Sequence, residues 1–176
     1  SVYSLFSGPA GGIAAATWMG QLAGYKDLIT VDMGGTSYDV CLIRDGRPAI
    51  TSDAWFSRYR VAIPLLDIHS IGAGGGSIAW VDDGGALKVG PQSAGSRPGP
   101  ACYGRGGTRP TVTDADLVLG YLSAESFAGG ELALDLAVAR AAIQEHVATP
   151  LGMSVEEAAW AIARIVNANM SNGIRV

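Results

Sequence analysis

Residues 28–43 read Leu28-Ile29-Thr30-Val31-Asp32-Met33-Gly34-Gly35-Thr36-Ser37-Tyr38-Asp39-Val40-Cys41-Leu42-Ile43, with a glycine pair between two apolar runs. The first run, residues 28–31, predicts a buried strand, and the second run, from Tyr38 to Ile43, predicts another. Glycines in the residues between them allow a tight turn, because they carry no side chain. The pattern therefore predicts a β-hairpin with a Gly-Gly turn.

This hairpin has two chemical interpretations. Consecutive glycines expose backbone N–H groups to a ligand, and the hydroxyls of Thr36 and Ser37 suit phosphate oxygens. Asp32 would repel phosphate directly, but it suits a hydrated Mg²⁺ or a water that it orients for attack. The Walker pattern GxxxxGKS or GxxxxGKT is absent. A plain tight hairpin with two turn glycines and a capping Asp explains the same spacing, so both interpretations stay open on spacing alone.

A second glycine loop, Gly72-Ala73-Gly74-Gly75-Gly76-Ser77, follows a short polar pair. The loop either cradles phosphate or forms a bulge where the sheet bends. The pair, Asp67 and His69, shares one face of a predicted strand by the period of two. These side chains either hold a metal, act as an acid–base pair, or form a satisfied, partly buried cluster.

Composition excludes several classes of protein. Glycine accounts for 25 of 176 residues, twelve of them from Gly72 to Gly107, without the G-X-Y period of collagen. A net charge of −4 with only two lysines argues against nucleic-acid binding. The apolar runs fall short of the roughly 20 residues that a membrane-spanning helix needs. Two cysteines without a CxxC pattern are typical of free thiols in the reducing cytoplasm.

The remaining sequence predicts an α/β layer domain with a mixed sheet. The predicted elements are a helix of small residues from Ser7 to Ala23, a strand from Arg60 to Ile68, a hairpin of 78–81 with 86–89, a long loop over 91–110, and helices over 114–122 with Thr113 as cap, 133–148, and 155–174 with Ser154 as cap. The small residues Gly11 and Gly12 would let another backbone pack closely. Because Ser1 and Val176 both stand in mid-pattern, we expect residues 1–176 to be a fragment truncated at both ends.

Some charged residues have an ordinary structural explanation. Asp114 and Asp116 stand at a predicted helix start, where carboxylates favour the helix dipole, and His146 near a helix end favours the opposite pole. Three arginines of the long loop either contact an anionic ligand or are solvated; they are Arg97, Arg105 and Arg109.

Several motifs, in order along the whole chain, resemble the hydantoinase A / 5-oxoprolinase family. They are Ser7-Gly8-Pro9-Ala10-Gly11-Gly12, Val31 to Ser37, Leu66-Asp67-Ile68-His69, Gly72 to Ser77, Pro98-Gly99-Pro100-Ala101-Cys102-Tyr103-Gly104, Thr111-Val112-Thr113-Asp114-Ala115 and Arg164 to Met170. The resemblance implies the actin-like ATPase superfamily, in which ATP binds between two ribonuclease H-like lobes. This chain then corresponds to a mixed-sheet α/β second lobe, and we expect the first lobe and the base-binding motif in missing parts of the same chain.

The resemblance also implies roles for the glycine loops. Asp32 is expected to be catalytic and to hold Mg²⁺ through water, at the phosphate hairpin of the lobe. The expected ATP-binding residues are Gly34, Gly35, Thr36, Ser37, Asp39, Gly74, Gly75, Gly76 and Ser77, and a second metal is considered at Asp67 and His69. The chain departs from the family pattern at Tyr38, where most members have Thr, and at Cys41, where most have Ser.

The function that this resemblance implies is ATP-dependent ring opening of a hydantoin-like or 5-oxoproline-like cyclic amide. The expected partners are a small cyclic amide substrate and a hydantoinase B-type subunit or domain. An ATP-dependent carboxylase subunit acting on a ketone is the first alternative, because it shares the phosphate chemistry. A nucleotide-binding module without chemistry of its own is the second.

Overall fold

The computed structural model describes residues 7–56 and 58–175. Within them the chain forms two compact units, one holding the residues up to Asp32 together with Tyr38–Ser70, the other holding Met33–Ser37 and Ile71–Arg175. The helices are α1 (Ser7–Ala23), α2 (Val112–Val118), α3 (Leu136–Ile143), α4 (Thr149–Leu151) and α5 (Val155–Ile174). The strands are β1 (Leu28–Met33), β2 (Tyr38–Arg44), β3 (Arg47–Pro48), β4 (Ile50–Thr51), β5 (Ala54–Phe56), β6 (Tyr59–Val61), β7 (Leu65–Leu66), β8 (Ile68–Ile71), β9 (Ser77–Val81) and β10 (Leu87–Ser93).

The first unit packs α1 against a small sheet. The sheet has the order β1-β2-β3, and β8 also pairs with β2. Its core consists of the buried residues Ile13, Cys41 and Ile43, with half-buried apolar side chains around them. The predicted helix and the predicted hairpin strands are therefore confirmed in place and type.

The burial of β1 differs from the prediction. Ile29 and Val31 are 54% and 52% exposed, so the expectation of a buried strand is wrong. β1 ends the strand order of its sheet, and apolar character alone buries a strand only when another layer covers its face. On α1, Trp18, Met19 and Leu22 are exposed as well.

Close packing on α1 falls on a different glycine from the predicted pair. A Cβ atom added to Gly11 or Gly12 would meet no described atom within 4 Å. A Cβ atom on Gly20 would lie 2.5 Å from Leu28 Cδ1 and 3.1 Å from the Tyr25 carbonyl oxygen. The close approach on α1 therefore lies at position 20, where an added methyl group would have to displace the end of the Leu28 side chain.

The strand predicted from Arg60 to Ile68 is broken into short pieces. β5 pairs with β6 and β4 pairs with β7, both antiparallel. Pro64 stands between β6 and β7 and carries no N–H group, which prevents a continuous strand hydrogen-bond ladder.

The second unit combines the β9–β10 hairpin with a group of helices. The hairpin is present as predicted; its strands are antiparallel, with Leu87 opposite Val81. Its turn is held by Asp82, whose carboxylate accepts hydrogen bonds from the Gly84 and Ala86 N–H groups. Ser154 and Glu157 form the predicted capping box at the start of α5, which buries Ile162, Val166 and Met170.

Two helix boundaries differ from prediction. α2 begins at Val112 with Thr111 as its N-cap, not Thr113. The predicted helix over 133–148 is α3 followed by a π-helical turn, Gln144–Ala148, that runs on into α4. Among the helices of the described ranges, none combines the length and apolar character that a bilayer crossing requires.

Candidate functional site

The turn after β1 leaves its two glycines open on one side. The Gly34 N–H group donates to the Ser37 carbonyl oxygen at 3.0 Å and closes the turn. A Cβ atom on Gly35 would meet no described atom within 4 Å, and one on Gly34 would meet only the Ser37 carbonyl oxygen, at 3.8 Å. Neither residue has a positive φ angle. Neither backbone conformation nor packing within the described chain therefore demands glycine here, whereas a ligand that approaches bare backbone would.

The second glycine loop lies directly against this turn. The Gly75 N–H group donates to the Gly34 carbonyl oxygen at 3.0 Å, and the Gly76 N–H group donates to the Gly35 carbonyl oxygen at 2.7 Å. A Cβ atom on Gly76 would lie 2.6 Å from the Gly35 oxygen, and one on Gly74 would lie 2.7 Å from the Gly34 oxygen. Real Cβ atoms do not approach so closely, so packing requires these glycines.

The N–H groups of the second loop are occupied within the chain. Besides the two bonds to the turn, the Gly74 N–H group donates to Ser77 Oγ at 2.9 Å. The Ser77 N–H group donates to the Gly74 carbonyl oxygen at 3.0 Å. Direct cofactor contacts by Gly74, Gly75, Gly76 and Ser77 stay a prediction; the observed bonds give these residues a role in supporting the turn.

Two hydroxyl residues to which the sequence analysis gave no role at the site, Thr113 and Ser93, hydrogen-bond to the glycine loops. Thr113, on α2, donates both its N–H group and its hydroxyl to the Gly75 carbonyl oxygen, each at 2.8 Å. Ser93 Oγ donates to the Gly35 carbonyl oxygen at 3.3 Å and lies 3.3 Å from Thr36 Oγ1. The sequence signal was the Thr-Val-Thr-Asp motif, in which Thr113 was interpreted only as a cap.

Asp114 fixes the start of α2 and the loop before it. Its side chain is fully buried and accepts hydrogen bonds from the N–H groups of Ala101, Cys102 and Thr111 and from the Thr111 hydroxyl. It stands at the helix N-terminus as predicted, and it also ties residues 101–102 to the helix. This anchors the segment that presents Thr113.

Both cysteines are free and buried, as predicted for thiols without a partner. Burial, followed by the charge of Asp114, raises the pKa of the Cys102 thiol far above its usual range. Burial also raises the pKa of the Cys41 thiol. Because the thiolate is the reactive form, neither cysteine is a candidate nucleophile.

The predicted carboxylates of the hairpin belong to the first unit and line one cavity there. This cavity of about 470 Å³ has Asp32 and Asp39 in its lining, and the other lining residues come mainly from α1, β1 and β2 and are mostly apolar. Asp32 is exposed and Asp39 is half-buried. Carboxylate oxygens are the ligands that Mg²⁺ prefers, so Asp32 fits the predicted metal chemistry. The predicted role of Asp39 in ATP binding stays a prediction.

Asp67 and His69 do not form the predicted strand-face pair. Asp67 lies between β7 and β8, where its N–H group donates to the Ala49 carbonyl oxygen at 2.9 Å, and only His69 is in a strand. Both side chains are exposed. Within residues 7–56 and 58–175, no three His, Cys, Asp or Glu side chains lie close enough together to hold a metal. A metal at this pair stays a prediction with no third ligand beside it.

Solved structures define the class of fold. The chain superposes on ATP-dependent caprolactamase from Pseudomonas jessenii with a TM-score of 0.87 and 50% identity, covering 96% of this chain and 24% of that one. It superposes on nucleotide-free acetone carboxylase, from a study of ATP-dependent acetone carboxylation, with a TM-score of 0.88 and 38% identity over 96% and 24% of the two chains. The fold is the α/β fold of the actin-like ATPase type, which confirms the predicted class.

The family follows from the sequence match. The hydantoinase/oxoprolinase family model matches residues 1–176, and the chain belongs to that family. It is 49% identical over 175 residues to caprolactamase subunit alpha from Pseudomonas jessenii, covering 99% of this chain and 25% of that protein. It is 45% identical over 176 residues to the acetophenone carboxylase gamma subunit from Aromatoleum aromaticum, over 96% and 23% of the two chains. The chain thus spans about a quarter of the length of these relatives.

Proposed function

We propose that this chain is part of an ATP-dependent enzyme that opens a cyclic amide, and that it supplies one half of the phosphate site. The observation that carries the proposal is the open space beside Gly34 and Gly35, where neither φ nor packing calls for glycine. A caprolactamase is among the relatives, and its solved structure is described as ATP-dependent. Caprolactam is a cyclic amide, so that relative favours lactam chemistry.

The turn residues have the proposed role of binding phosphate. Gly34 and Gly35 let phosphate oxygens reach the backbone, and the hydroxyls of Thr36 and Ser37 add donors. The loop of Gly74, Gly75, Gly76 and Ser77 stabilises this turn. Its Gly75 and Gly76 N–H groups donate hydrogen bonds to the carbonyl oxygens of Gly34 and Gly35. A turn held in this way needs little reorganisation when charge develops on a phosphate beside it.

The carboxylates have the proposed role of handling the metal and the nucleophile. Asp32 precedes the turn by two residues and positions hydrated Mg²⁺ or an attacking water, and Asp39 assists it from the same cavity. When bound, ATP would supply a phosphoryl group to the amide oxygen with ADP as the leaving group, and Mg²⁺ would offset phosphate charge. Asp32 therefore acts on the reacting groups and is the proposed catalytic residue.

A carboxylase subunit acting on a ketone is the second candidate function. It is favoured by the 45% identity to the acetophenone carboxylase gamma subunit and by the likeness to acetone carboxylase. Both named relatives are subunits of larger enzymes, so we propose a partner subunit or domain of the hydantoinase B type in either case. Two buried free thiols favour a reducing compartment, the cytoplasm, for the enzyme.

The test measures ATP hydrolysis by the intact protein against a substrate panel. Caprolactam, 5-oxoproline and hydantoin are compared with acetone and acetophenone, each with and without bicarbonate. Lactam-stimulated hydrolysis that needs no bicarbonate is expected. Stimulation only by a ketone with bicarbonate would establish the carboxylase, and ATP binding without turnover under every condition would contradict both functions.

Asp32→Asn tests the proposed catalytic residue in the same assay. Because it removes the charge that positions Mg²⁺ or water, we expect substrate-dependent ATP hydrolysis to fall by about 100-fold or more. Asp45→Asn is the matched control, since it removes an exposed carboxylate from the turn after β2 at a positive φ that Asn tolerates. Equal rates in the two variants would remove Asp32 from the mechanism.

A further inference from the structure

A second cavity lies on the second unit and is lined by charged residues that the proposed reaction does not use. Its volume is about 360 Å³, and its lining includes Trp80, Arg109, Glu145, His146 and Pro150. Pockets of this size hold small organic ligands. Residues that carry guanidinium, imidazole, carboxylate and indole groups thus line one cavity.

The π-helical turn brings two of these residues to the cavity. Between α3 and α4, the Thr149 N–H group donates to the Gln144 carbonyl oxygen, five residues earlier. Such wide turns inside helices occur frequently at functional sites. Glu145 and His146 are consecutive in this turn, and both line the cavity. Because the helical residues run on to Leu151, His146 is not in a last helical turn, where its predicted dipole role would place it.

The other two polar groups are held by hydrogen bonds. The Trp80 indole N–H group donates to the Gly90 carbonyl oxygen at 3.2 Å, which orients the ring. Arg109 donates one Nη1–H bond to Gln92 Oε1 at 3.3 Å, and a guanidinium carries five N–H donors. Over the described ranges, Arg109 and Glu145 form no ion pair within 4.0 Å, with each other or with another residue. Two residues of opposite charge, Arg109 and Glu145, therefore line the cavity without forming an ion pair with each other.

We propose that this cavity binds a small zwitterion, a free amino acid with one carboxylate and one ammonium group. Arg109 binds the carboxylate, aided by a His146 N–H group, because guanidinium–carboxylate pairs are strong and directional. Glu145 binds the ammonium group, and Trp80 with Pro150 contacts the carbon chain. A simple anion would bring its charge near Glu145 and a simple amine would bring its charge near Arg109, so the zwitterion is favoured over both. The cavity shares no lining residue with the cavity that holds Asp32 and Asp39.

Calorimetric titration of the intact protein tests the proposal with matched probes. The zwitterions 4-aminobutanoate and 6-aminohexanoate are compared with butanoate, hexanoate, butylamine and hexylamine. We expect at least one zwitterion to bind about 10-fold or more tightly than its matched anion and amine. No binding of either zwitterion at millimolar concentration would overturn the proposal, and so would equal binding of the matched anion.

Substitutions locate the binding. Arg109→Gln and Glu145→Gln each remove one charge from an exposed side chain, so both variants are expected to fold, and unchanged thermal unfolding checks this. Each is expected to weaken zwitterion binding about 10-fold or more, whereas Arg97→Gln, in the same loop but outside the lining, leaves it unchanged. Zwitterion binding that survives both cavity substitutions belongs elsewhere and would overturn the proposal.

Discussion

Gly35 and Gly76 are joined by one hydrogen bond of 2.7 Å, yet a methyl group added to each would meet opposite surroundings. On Gly76 it would lie 2.6 Å from the Gly35 carbonyl oxygen and 2.9 Å from Ser93 Oγ. On Gly35 it would enter space without a described atom within 4 Å. Gly76 is needed so that two backbones can approach closely, whereas no contact in the described chain requires glycine at position 35.

This difference separates two uses of glycine that look alike in a sequence. Both loops contain consecutive glycines next to a hydroxyl residue, and both were predicted to bind phosphate. The N–H groups of Gly74, Gly75, Gly76 and Ser77 donate within the chain, whereas the surroundings of Gly34 and Gly35 are open. We infer that the loop from Gly72 to Ser77 holds the turn in place and that Gly34 and Gly35 in the turn contact the ligand.

Gly76→Ala should show the largest loss of stability, because its methyl group would overlap a backbone oxygen. Overpacking of this kind costs about 2 kcal/mol, which would speed local opening. Hydrogen–deuterium exchange of peptides covering residues 71–118 in the intact protein measures it. Gly12→Ala is the control, since its methyl group meets no described atom and improves helix propensity. Unchanged exchange in Gly76→Ala would show that the loop accommodates the methyl group without a change in the free energy of local opening.

Thr113→Val should have a smaller effect on the same peptides. It removes the hydroxyl bond to the Gly75 carbonyl oxygen, which the Thr113 N–H group still satisfies. A lost bond of this type costs about 1 kcal/mol. Thr113→Ser keeps the hydroxyl and should exchange like the wild type. If Val and Ser variants behave alike, the hydroxyl does not support the second loop.

The elements with local signals were predictable from sequence. Ser154 with Glu157 determined the start of α5, and the turn residues 82–85 determined the β9–β10 hairpin. Both depend on residues a few positions apart. The order of the long motifs along the whole chain was enough to indicate the family and the fold class.

The remaining features depend on distant parts of the chain. The residues Leu28–Met33 contain no signal for whether another layer of helices or strands covers the strand, so its exposure could not be predicted. The contact of residues 34–35 with residues 75–76 joins positions about forty residues apart, and propensity carries no signal for such a contact. At α2, Thr111 and Thr113 are equally suitable caps by type, and only the burial of Asp114 between loop and helix decides for Thr111.

Asp116, on α2, predicts a pH dependence of the stability of the second unit. Burial raises the pKa of this carboxyl from 3.8 to about 6. The folded state then binds more protons than the unfolded state between these values, so stability should fall as pH rises from about 4 to about 6 and stay level above. Thermal unfolding from pH 4 to pH 7 measures this, with Asp116→Asn expected to lose that slope. The same slope in both proteins would mean that another group titrates.

Gly35→Ala in the intact protein tests the central claim most directly, with thermal unfolding and calorimetric ATP binding measured on the same sample. Because the added methyl group meets open space, the variant should unfold within about 0.5 kcal/mol of the wild type. The same methyl group would occupy the space of a phosphate, so ATP binding should weaken about 10-fold or more. Wild-type ATP affinity in a folded Gly35→Ala protein would contradict the account, because the open glycine would then face no nucleotide.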